Sequence, residues 1–377
     1  MEGDATRFMR LALSLAARAK GRTAPNPMVG AVVVQRGRLV GQGYHRRAGG
    51  PHAEVAALRQ AGPRARGATL FVTLEPCNHV GRTPPCCEAV IRSGVKTVVV
   101  ASRDPNPLTN GRGFARLRRA GLQVRSGLLK AEARQLNASF EKVMTHGLPF
   151  VTAKVGQSLD GKIATATGQS RWITSERSRQ YAHALRRDVD AVLVGVNTVL
   201  RDDPRLSVRA MRPRAGHPVK VVLDSRLRTP IFARCLSARP AAPTLIATTT
   251  RAPRAKGRAL ERRGATLLWF RADRQGRVPL RPLLRALARR GVQSVLIEGG
   301  GEVLASAFGQ RLVDRAVWCI SPLLLGGREA PSSLGGAGID RLTKAIRLED
   351  VRVRRFGIDL CVEGCVRYPG TRQAKAA

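Results

Sequence analysis

Two short stretches near the start of the chain decide its fold: PHAE at residues 51–54 and TLEPCNHVGRTPPCC at residues 73–87. They contain one histidine, His52, and two spaced cysteines, Cys77 and Cys86. Three nitrogen or sulfur ligands are what a catalytic zinc site takes, because its fourth position stays open for reaction. Glu54 would lie near such a metal without binding it, where a carboxylate can accept a proton and deliver it to a leaving amine.

The order H-x-E, then P-C, then C is typical of zinc deaminases that act on nucleobases. Each part alone is weak evidence. His-Ala-Glu at a helix start can be a simple cap, and a cysteine pair can hold structural zinc or nothing. Their conjunction around the strand-like ATLFVTLE favours the catalytic site. Cys87 is a rival ligand because it adjoins Cys86, and His79 is a weaker competitor.

The segments around these motifs alternate between strand and helix patterns. A helix is predicted within the first 25 residues, and VGAVVVQRGRLVGQGY predicts two strands joined by a turn. AEVAALRQA, EAVIRS and GFARLRRAG predict helices, and ATLFVTLEP, VKTVVVAS and LQVRSGLL predict strands. This alternation indicates a layered α/β domain with a largely parallel sheet.

A second alternation follows the link GLPF at residues 147–150. VTAKVGQSL, DAVLVGV, VKVVLDS, PTLIATT, ATLLWF, VQSVLIEGG and DRAVWCISPLLL predict strands; SERSRQYAHALRR, LRPLLRALARR and GEVLASAFGQ predict helices. G-x-G-x-x-G is missing after the first strand, which disfavours a standard dinucleotide-binding fold. IEGGGE at residues 297–302 lies where a strand meets a helix and could approach a phosphate, although most such turns are merely sharp.

Composition limits the class of protein. The 377 residues suffice for two domains, and no apolar run approaches the roughly 20 residues that cross a membrane. The N-terminus resembles no secretory signal, so the chain is expected to be cytoplasmic. The net charge of +40 suggests nucleic-acid binding, but the charge per residue is nearly equal in the two halves of the chain, with +16 over residues 1–146 and +24 over the rest. Aromatic residues, which would stack on bases, make up only 4%. Seven cysteines in a cytoplasmic chain indicate metal rather than disulfides.

The motifs resemble the RibD family of bifunctional riboflavin-biosynthesis enzymes over nearly the whole chain. PNPMVG at 25–30 and DPNP at 104–107 match as well, and the GRTPPC loop distinguishes this family from cytidine deaminases and tRNA adenosine deaminases. The resemblance implies a cytidine-deaminase-like three-layer α/β/α domain at residues 1–146. It implies a dihydrofolate-reductase-like α/β domain at residues 147–367, followed by a polar, disordered tail at residues 368–377.

The resemblance also implies two activities. As a hydrolase, the first domain removes the 2-amino group of 2,5-diamino-6-(5-phosphoribosylamino)pyrimidin-4-one. As an oxidoreductase, the second uses NADPH to reduce the ribosyl side chain, giving 5-amino-6-(5-phosphoribitylamino)uracil. One zinc ion per chain would be held by His52, Cys77 and Cys86. Glu54 would be catalytic, and Asn26 would face the pyrimidine.

In the reductase half, the resemblance rests on residues 154–161, 170–175 and 195–206. By this resemblance, the NADPH-binding residues are Gly156, Trp172, Thr198, Asp202, Ser225, Gly300, Gly301, Glu302, Val303, Leu304, Ala305 and Ser306. The substrate-binding residues are Ser170, Arg186, Leu206, Arg209 and Glu298. Structural roles remain open for single residues: Trp172 in a core, Asp202 in a turn and Arg186 as a surface charge. The sequence offers no obvious acid or base for the hydride step.

The expected partners are a small phosphoribosyl pyrimidine and further copies of the chain in a homo-oligomer, with no membrane and no nucleic acid. The rival function is a nucleic-acid base deaminase with a basic RNA-binding C-terminal domain, which only the charge favours. A third possibility is a degenerate relative whose second domain merely binds or scaffolds.

Overall fold

The computed structural model describes residues 2–80, 84–209, 216–236 and 242–370. Residues 81–83 of the GRTPPC loop and residues 371–377 of the predicted tail lie outside this range. The chain forms two compact units, the first ending at Gly147 and the second beginning at Leu148. Within the described part of the chain, no helix combines the length and apolar character needed to span a bilayer.

The first unit contains one five-stranded sheet with the strand order β2-β1-β3-β4-β5. Its strands are β1 (Gly30–Gln35), β2 (Arg38–Tyr44), β3 (Thr69–Leu74), β4 (Thr97–Ser102) and β5 (Gln123–Ser126). Its helices are α1 (Glu2–Ala17), α2 (Ala53–Ala61), α3 (Cys86–Arg92), α4 (Arg112–Arg119), α5 (Lys130–Leu136) and α6 (Ala138–His146).

Two apolar cores, one on each face of this sheet, create three layers. One core joins α2, α3 and α4 to inward residues such as Val33 and Val72. The other joins α1 and α5 to the alternate residues, such as Val32 and Phe71. Because successive strand residues point to opposite faces, largely apolar strands such as β1 can supply both cores.

The expectation of a largely parallel sheet was wrong for the first three strands. β1 pairs antiparallel with both β2 and β3, and only β3, β4 and β5 run parallel. The cause is local, since β1 and β2 are joined by the tight turn Arg36–Gly37, in which both residues have positive φ. A two-residue turn of this kind requires an antiparallel hairpin, so strand–helix alternation begins only after β2.

Two glycines in β2 let helix α2 lie directly on the sheet. A Cβ at Gly41 would lie 2.2 Å from the carbonyl oxygen of Ala57, and one at Gly43 would lie 2.6 Å from the Cβ of Ala56. Any larger residue must therefore displace the helix. This close packing fixes the start of α2, where the motif His52–Glu54 lies.

The second unit has a nine-stranded sheet with the order β10-β9-β8-β7-β11-β6-β12-β14-β13. All pairs from β10 to β12 are parallel, and β14 runs antiparallel to both of its neighbours. Its strands are β6 (Phe150–Ser158), β7 (Ala191–Gly195), β8 (Val219–Leu223), β9 (Thr244–Thr249), β10 (Ala265–Phe270), β11 (Ser294–Glu298), β12 (Arg315–Ser321), β13 (Arg347–Phe356) and β14 (Asp359–Arg367). Its helices are α7 (Glu176–Arg187), α8 (Val196–Asp202), α9 (Arg254–Arg262), α10 (Leu280–Ala288) and α11 (Gly301–Gly309).

This unit extends further than predicted at its C-terminal end. Tyr368, assigned to the disordered tail, is only 9% exposed, and its hydroxyl bonds both the backbone N–H and the carbonyl of Val313. The prediction was wrong at this residue because a single aromatic side chain anchors the chain there. The hairpin β13–β14 was not predicted from the sequence.

Candidate active sites

The motif residues of the first unit converge from three different elements. His52 precedes α2, Cys77 follows β3, and Cys86 begins α3. The Nδ1 atom of His52 lies 2.8 Å from the Sγ of Cys86 and 3.7 Å from the Sγ of Cys77. Candidate ligand atoms of these three residues all lie within 4.8 Å of one another. The structure therefore brings together one nitrogen and two sulfurs at the spacing of a single metal site.

The chemistry of these donors fits zinc. One imidazole nitrogen and two thiol sulfurs are a known ligand set of catalytic zinc. Hydrogen bonds from Cys86 and His52 lower the pKa of the Cys77 thiol to about 4, against the effect of burial. The backbone N–H of Cys86 also donates to this sulfur, at 3.3 Å. The site thus stabilises the thiolate of Cys77, the form of cysteine that binds metal, while its hydrogen bond to Cys77 and burial raise the pKa of the Cys86 thiol.

Glu54 lies beside this cluster without belonging to it. The side chain is on the first turn of α2, and the residue is 3% exposed. Burial raises the pKa of Glu54 to about 6. A carboxyl group in this position can exist in either protonation state near neutral pH, which suits a group that accepts and then delivers a proton.

The two rival ligands point elsewhere. The Sγ of Cys87 lies 3.4 Å from the carbonyl oxygen of Pro76 and 3.7 Å from that of Gly113, and burial raises the pKa of this thiol to about 12. The Nδ1 of His79 lies 3.4 Å from the hydroxyl of Thr109. Among the described residues, the candidate metal cluster includes neither of them.

The sequence analysis missed His45, which lies against the cluster. Its ring makes an edge contact with that of His52, with centroids 5.3 Å apart, and is 2% exposed. Its Nδ1 lies 3.1 Å from the carbonyl oxygen of Pro51, and its Nε2 lies 3.1 Å from the amide nitrogen of Asn26. A proton on Nδ1 satisfies both contacts, so that Nε2 accepts from Asn26 and the amide oxygen of Asn26 is turned away from His45. In the sequence, His45 is a single histidine after a predicted strand, and such a residue gives no indication that it contacts His52.

Glu75, within the TLEPC motif, holds the loop that follows β4. Its carboxylate accepts hydrogen bonds from the backbone N–H groups of Asp104, Gly111 and Phe114, at 3.0 to 3.3 Å. The side chain of Asp104 in turn accepts from the N–H of Asn106 at 2.8 Å. The DPNP segment at residues 104–107, part of the resemblance to the RibD family, is thereby fixed next to the end of β3, the strand that leads to Cys77.

The second unit has a cavity of about 1230 Å³ at the carboxyl ends of its central parallel strands β6, β7, β8 and β11. Open parallel sheets bind their ligands at this edge. All residues predicted from the family resemblance to bind cofactor or substrate line this cavity except Ala305. Ala305 instead lies next to Gly336, where a Cβ would be 3.1 Å from its own.

The glycines of the EGGGE segment shape one wall of this cavity. Gly299 and Gly300 have positive φ angles of 70° and 78°, and a Cβ on Gly301 would lie 2.5 Å from the carbonyl oxygen of Ser332. They turn the chain from β11 into α11, whose first residues line the cavity. The backbone N–H groups at a helix start favour a phosphate.

Arg186 and Glu298, both predicted as substrate ligands, bind each other. The Nε of Arg186 donates to the Oε1 of Glu298 at 2.7 Å, and the second guanidinium nitrogen bonds Oε2. A further nitrogen reaches the carbonyl oxygen of Ser207 at 3.2 Å. Although burial raises it, the pKa of Glu298 is held below its usual value by Arg186. The pair spans 112 residues of sequence, which is why it could not be predicted.

Arg209 lies among other cations at the edge of the cavity. Burial and the nearby charges of Arg186 and Arg205 lower its pKa. The guanidinium of Arg209 forms no ion pair with a described residue. Its backbone N–H donates to the Nδ1 of His183 at 3.2 Å, and burial and the charges of Arg186 and Arg209 lower the pKa of His183 to about 4. His183 is therefore neutral at pH 7, and the positive charge here is left for an anion.

Three further predicted residues lie together at the cavity mouth. The hydroxyl of Ser170 donates to the carboxylate of Asp202 at 3.2 Å. Trp172 is 66% exposed, with the guanidinium of Arg179 4.3 Å from its ring centre. The alternative that Trp172 lies in a core is therefore wrong, since its ring faces the cavity.

Sequence comparison assigns each unit to a known domain family. Residues 3–102 match the cytidine and deoxycytidylate deaminase zinc-binding region, and residues 149–362 match the RibD C-terminal domain. Riboflavin biosynthesis protein RibD of Aquifex aeolicus is 46% identical over 355 residues, covering 94% of this chain and 96% of that protein. RibD of Escherichia coli is 40% identical over 366 residues, covering 94% and 97%.

Solved structures agree over both units. RibD of Acinetobacter baumannii superposes with a TM-score of 0.88 at 36% identity, covering 97% of this chain and 100% of that one. The diaminohydroxyphosphoribosylaminopyrimidine deaminase/5-amino-6-(5-phosphoribosylamino)uracil reductase of Thermotoga maritima gives 0.81 at 34% identity, covering 97% and 99%. The expected fold class, a cytidine-deaminase-like domain followed by a dihydrofolate-reductase-like domain, is confirmed. The RNA-binding alternative is not favoured.

The predicted cofactors, zinc for the first domain and NADPH for the second, agree with this assignment. The chain belongs to the RibD family of bifunctional deaminases and reductases of riboflavin biosynthesis.

Proposed function

We propose that the two domains catalyse consecutive reactions on one small molecule. The domain at residues 1–146 hydrolyses the 2-amino group of 2,5-diamino-6-(5-phosphoribosylamino)pyrimidin-4-one and releases ammonia. The domain at residues 147–367 then reduces the ribosyl side chain with NADPH. The observation that carries this proposal is the convergence of His52, Cys77 and Cys86 beside the buried Glu54.

For the deamination, we assign His52, Cys77 and Cys86 as the zinc ligands and Glu54 as the catalytic residue. Zinc supplies a water that is acidic enough to react at neutral pH. The Glu54 carboxylate accepts the proton of the attacking water and delivers it to the departing amine. The amide of Asn26, oriented by His45, faces the pyrimidine and can bond its polar edge.

For the reduction, the chain mainly positions its reactants. The backbone N–H groups of Gly301 and its neighbours at the start of α11 would hold the cofactor's pyrophosphate. Trp172, Thr198 and Asp202 line the cofactor's path along the same cavity. Hydride transfer needs the nicotinamide and the ribosyl carbon to be held in contact, a task of orientation rather than of proton transfer.

The substrate phosphate is assigned to Arg209. The charge of Arg186 is neutralised by its ion pair with Glu298, whereas Arg209 forms no ion pair with a described residue and lies among further arginines. A guanidinium presents paired donors that fit phosphate oxygens. Arg186 in this arrangement orients Glu298, which can accept hydrogen bonds from sugar or pyrimidine.

We also propose that the chain forms a homo-oligomer through the edge strand β13. Val351 and Val353 are 50% and 63% exposed, and Leu360 of the adjacent β14 is 47% exposed. Within β13, Glu349 and Asp350 precede Arg352, Arg354 and Arg355. Antiparallel pairing with a second copy would set acids against bases while covering the apolar side chains and the unpaired strand edge.

The proposed compartment is the cytoplasm. All seven cysteines are free thiols, among them the pair Cys319 and Cys361, whose sulfurs lie only 3.5 Å apart. Adjacent unpaired thiols suit a reducing environment.

The first prediction concerns metal content. We expect Cys86→Ser to lose most of the bound zinc, because a hydroxyl is a poor substitute for a thiolate ligand. Cys87→Ser is the matched control and should keep the zinc, since its sulfur points to backbone carbonyls. Elemental analysis of both purified variants gives the result. Loss of zinc from the Cys87 variant alone would reverse the ligand assignment.

The second prediction separates the two activities. Glu54→Gln should keep its zinc and fold but lose deamination by roughly 100- to 10,000-fold, because an amide cannot carry the proton. Reduction of a substrate that is already deaminated, measured as NADPH oxidation, should persist in this variant. Deamination within threefold of the wild-type rate would refute the role of Glu54. Failure of the wild type to oxidise NADPH would refute the reductase assignment and favour a scaffold.

The third prediction concerns the phosphate. Arg209→Lys should raise the KM for the phosphorylated substrate by about tenfold, or about 1.4 kcal/mol, because an ammonium cannot replace the paired donors. NADPH binding, measured by direct titration, should not change. Arg262→Lys on the exposed part of α9 is the control for surface charge. A defect limited to NADPH would place Arg209 at the cofactor instead.

The fourth prediction concerns assembly. Wild-type protein should sediment as a dimer or larger, and Val353→Glu should shift it toward monomer, because a buried carboxylate would have no partner. Phe232→Glu, at another residue that is 75% exposed, is the control. A monomeric wild type, or an equal effect of both variants, would contradict assembly through β13.

A further inference from the structure

The position of the cavity's glycine wall sets the direction of the cofactor across the sheet. The pyrophosphate site at the start of α11 follows β11, and β6 and β7 are its two neighbours. Glu298, paired with Arg186, is the last residue of β11 and directly precedes this site. β8 lies two strands from β11 on the far side of β7, about 10 Å away at the usual strand spacing of about 4.8 Å. Ser225 and Arg226, which follow β8, line the same cavity as Gly300 and Gly301, so an adenosine half that extends from the pyrophosphate site in this direction would reach them.

The two nicotinamide dinucleotides differ at the 2′ position of the adenosine ribose, which carries a free hydroxyl in NADH and a phosphate in NADPH. A carboxylate there bonds the free ribose hydroxyl of NADH, whereas an arginine accommodates the 2′-phosphate of NADPH. Here β8 is followed by Asp224, Ser225 and Arg226. Both kinds of residue are thus present, and the structure must distinguish between them.

Asp224 is not available to a ribose. It is fully buried, and its Oδ2 accepts hydrogen bonds from the backbone N–H and the hydroxyl of Thr229, at 2.6 and 2.7 Å. The carboxylate closes the turn that follows β8. Arg226, two residues later, is exposed and lines the cavity.

Arg226 also differs from the other arginines at this end of the cavity. Arg228 donates to the side-chain oxygen of Asn197 at 2.7 Å, and Arg277 contacts the carboxylate of Glu302 at 3.5 Å. Arg226 has no ion pair or side-chain hydrogen bond to any residue in the described ranges. Its guanidinium is therefore left for an anionic ligand.

The backbone that carries Arg226 is fixed on both sides. The hydroxyl of Ser225 accepts from the N–H of Val278 at 3.0 Å, and its carbonyl oxygen accepts from the hydroxyl of Thr249 at 2.8 Å. Leu227, on the other side, is 3% exposed and packs into the core. An anchored backbone lowers the entropic cost of using a long cationic side chain for recognition.

We propose that Arg226 binds the 2′-phosphate of the cofactor and makes the reductase domain prefer NADPH to NADH. This inference rests on the proposed nicotinamide site and adds to it the residue that discriminates between the two dinucleotides. The hydroxyl of Ser225 lies at the same strand end, where it fixes the loop that carries Arg277.

The test is direct binding without turnover, by calorimetric titration of the zinc-loaded protein. Wild type should bind NADPH more tightly than NADH, and adenosine 2′,5′-bisphosphate more tightly than 5′-AMP. Arg226→Gln should weaken NADPH and the bisphosphate by about 10- to 100-fold, the range for one charged hydrogen-bonding contact. The same variant should leave NADH and 5′-AMP within about twofold. The NADPH affinity of Arg226→Lys should lie between those of wild type and Arg226→Gln.

Two matched arginine variants serve as controls. Arg262→Gln removes a charge outside the cavity and should leave all four affinities unchanged, which excludes a general effect of the basic surface. Arg277→Gln removes an arginine already paired with Glu302 and should preserve the NADPH-to-NADH ratio. The assignment is overturned if Arg226→Gln leaves the ratio of NADPH to NADH affinity unchanged. It is also overturned if Arg277→Gln lowers this ratio as much as Arg226→Gln does. A wild type that binds neither dinucleotide would instead refute the proposed function, and this inference with it.

Discussion

The first domain depends on one geometric constraint: a nitrogen and two sulfurs from separate elements must meet within 4.8 Å. Each ligand lies at the end of an element, two at helix starts and one just after a strand. Side chains at such ends can be aimed without disturbing the packed interior. The surrounding architecture follows from keeping these ends in place, with α2 pressed onto β2 and the loop after β4 tied to Glu75. Thiolates that would repel one another without a cation are held together by this packing.

The second domain meets a different demand, since it must hold two large anionic molecules in one cavity. The carboxyl edge of a parallel sheet provides it, because loops after several strands reach the same space. Some arginines there already have partners, and the bidentate pair of Arg186 and Glu298 is the clearest case. Cations without an ion pair to a described residue, such as Arg209, are the ones that can attract the phosphate groups of these molecules. Specificity therefore depends on which charges are neutralised as much as on how many are present.

The sequence alone was enough to predict the zinc cluster, because its members belong to two short motifs with fixed internal spacing. The two-domain α/β fold was predictable from the alternation of apolar segments. The hairpin β13–β14 was missed because six of the ten residues of β13 are charged, which obscures the strand pattern of its few apolar residues. Helix α9, with RAKGRALER, was missed for a similar reason. The pairing of Arg186 with Glu298 and the contact of His45 with His52 depend on tertiary packing, which no local pattern encodes.

The glycines of β2 have a consequence for how this enzyme responds to random mutation. Neither Gly41 nor Gly43 lies in the His-x-Glu or Cys motifs, yet any side chain there must push α2 outward. The displaced helix begins with both the proposed metal ligand His52 and the proposed acid–base residue Glu54. A library screened only for deaminase turnover would therefore score these two positions as if they were catalytic. Measured against the reductase activity of the same chain, they would be recognised as part of the scaffold, because the second domain has its own sheet and cores.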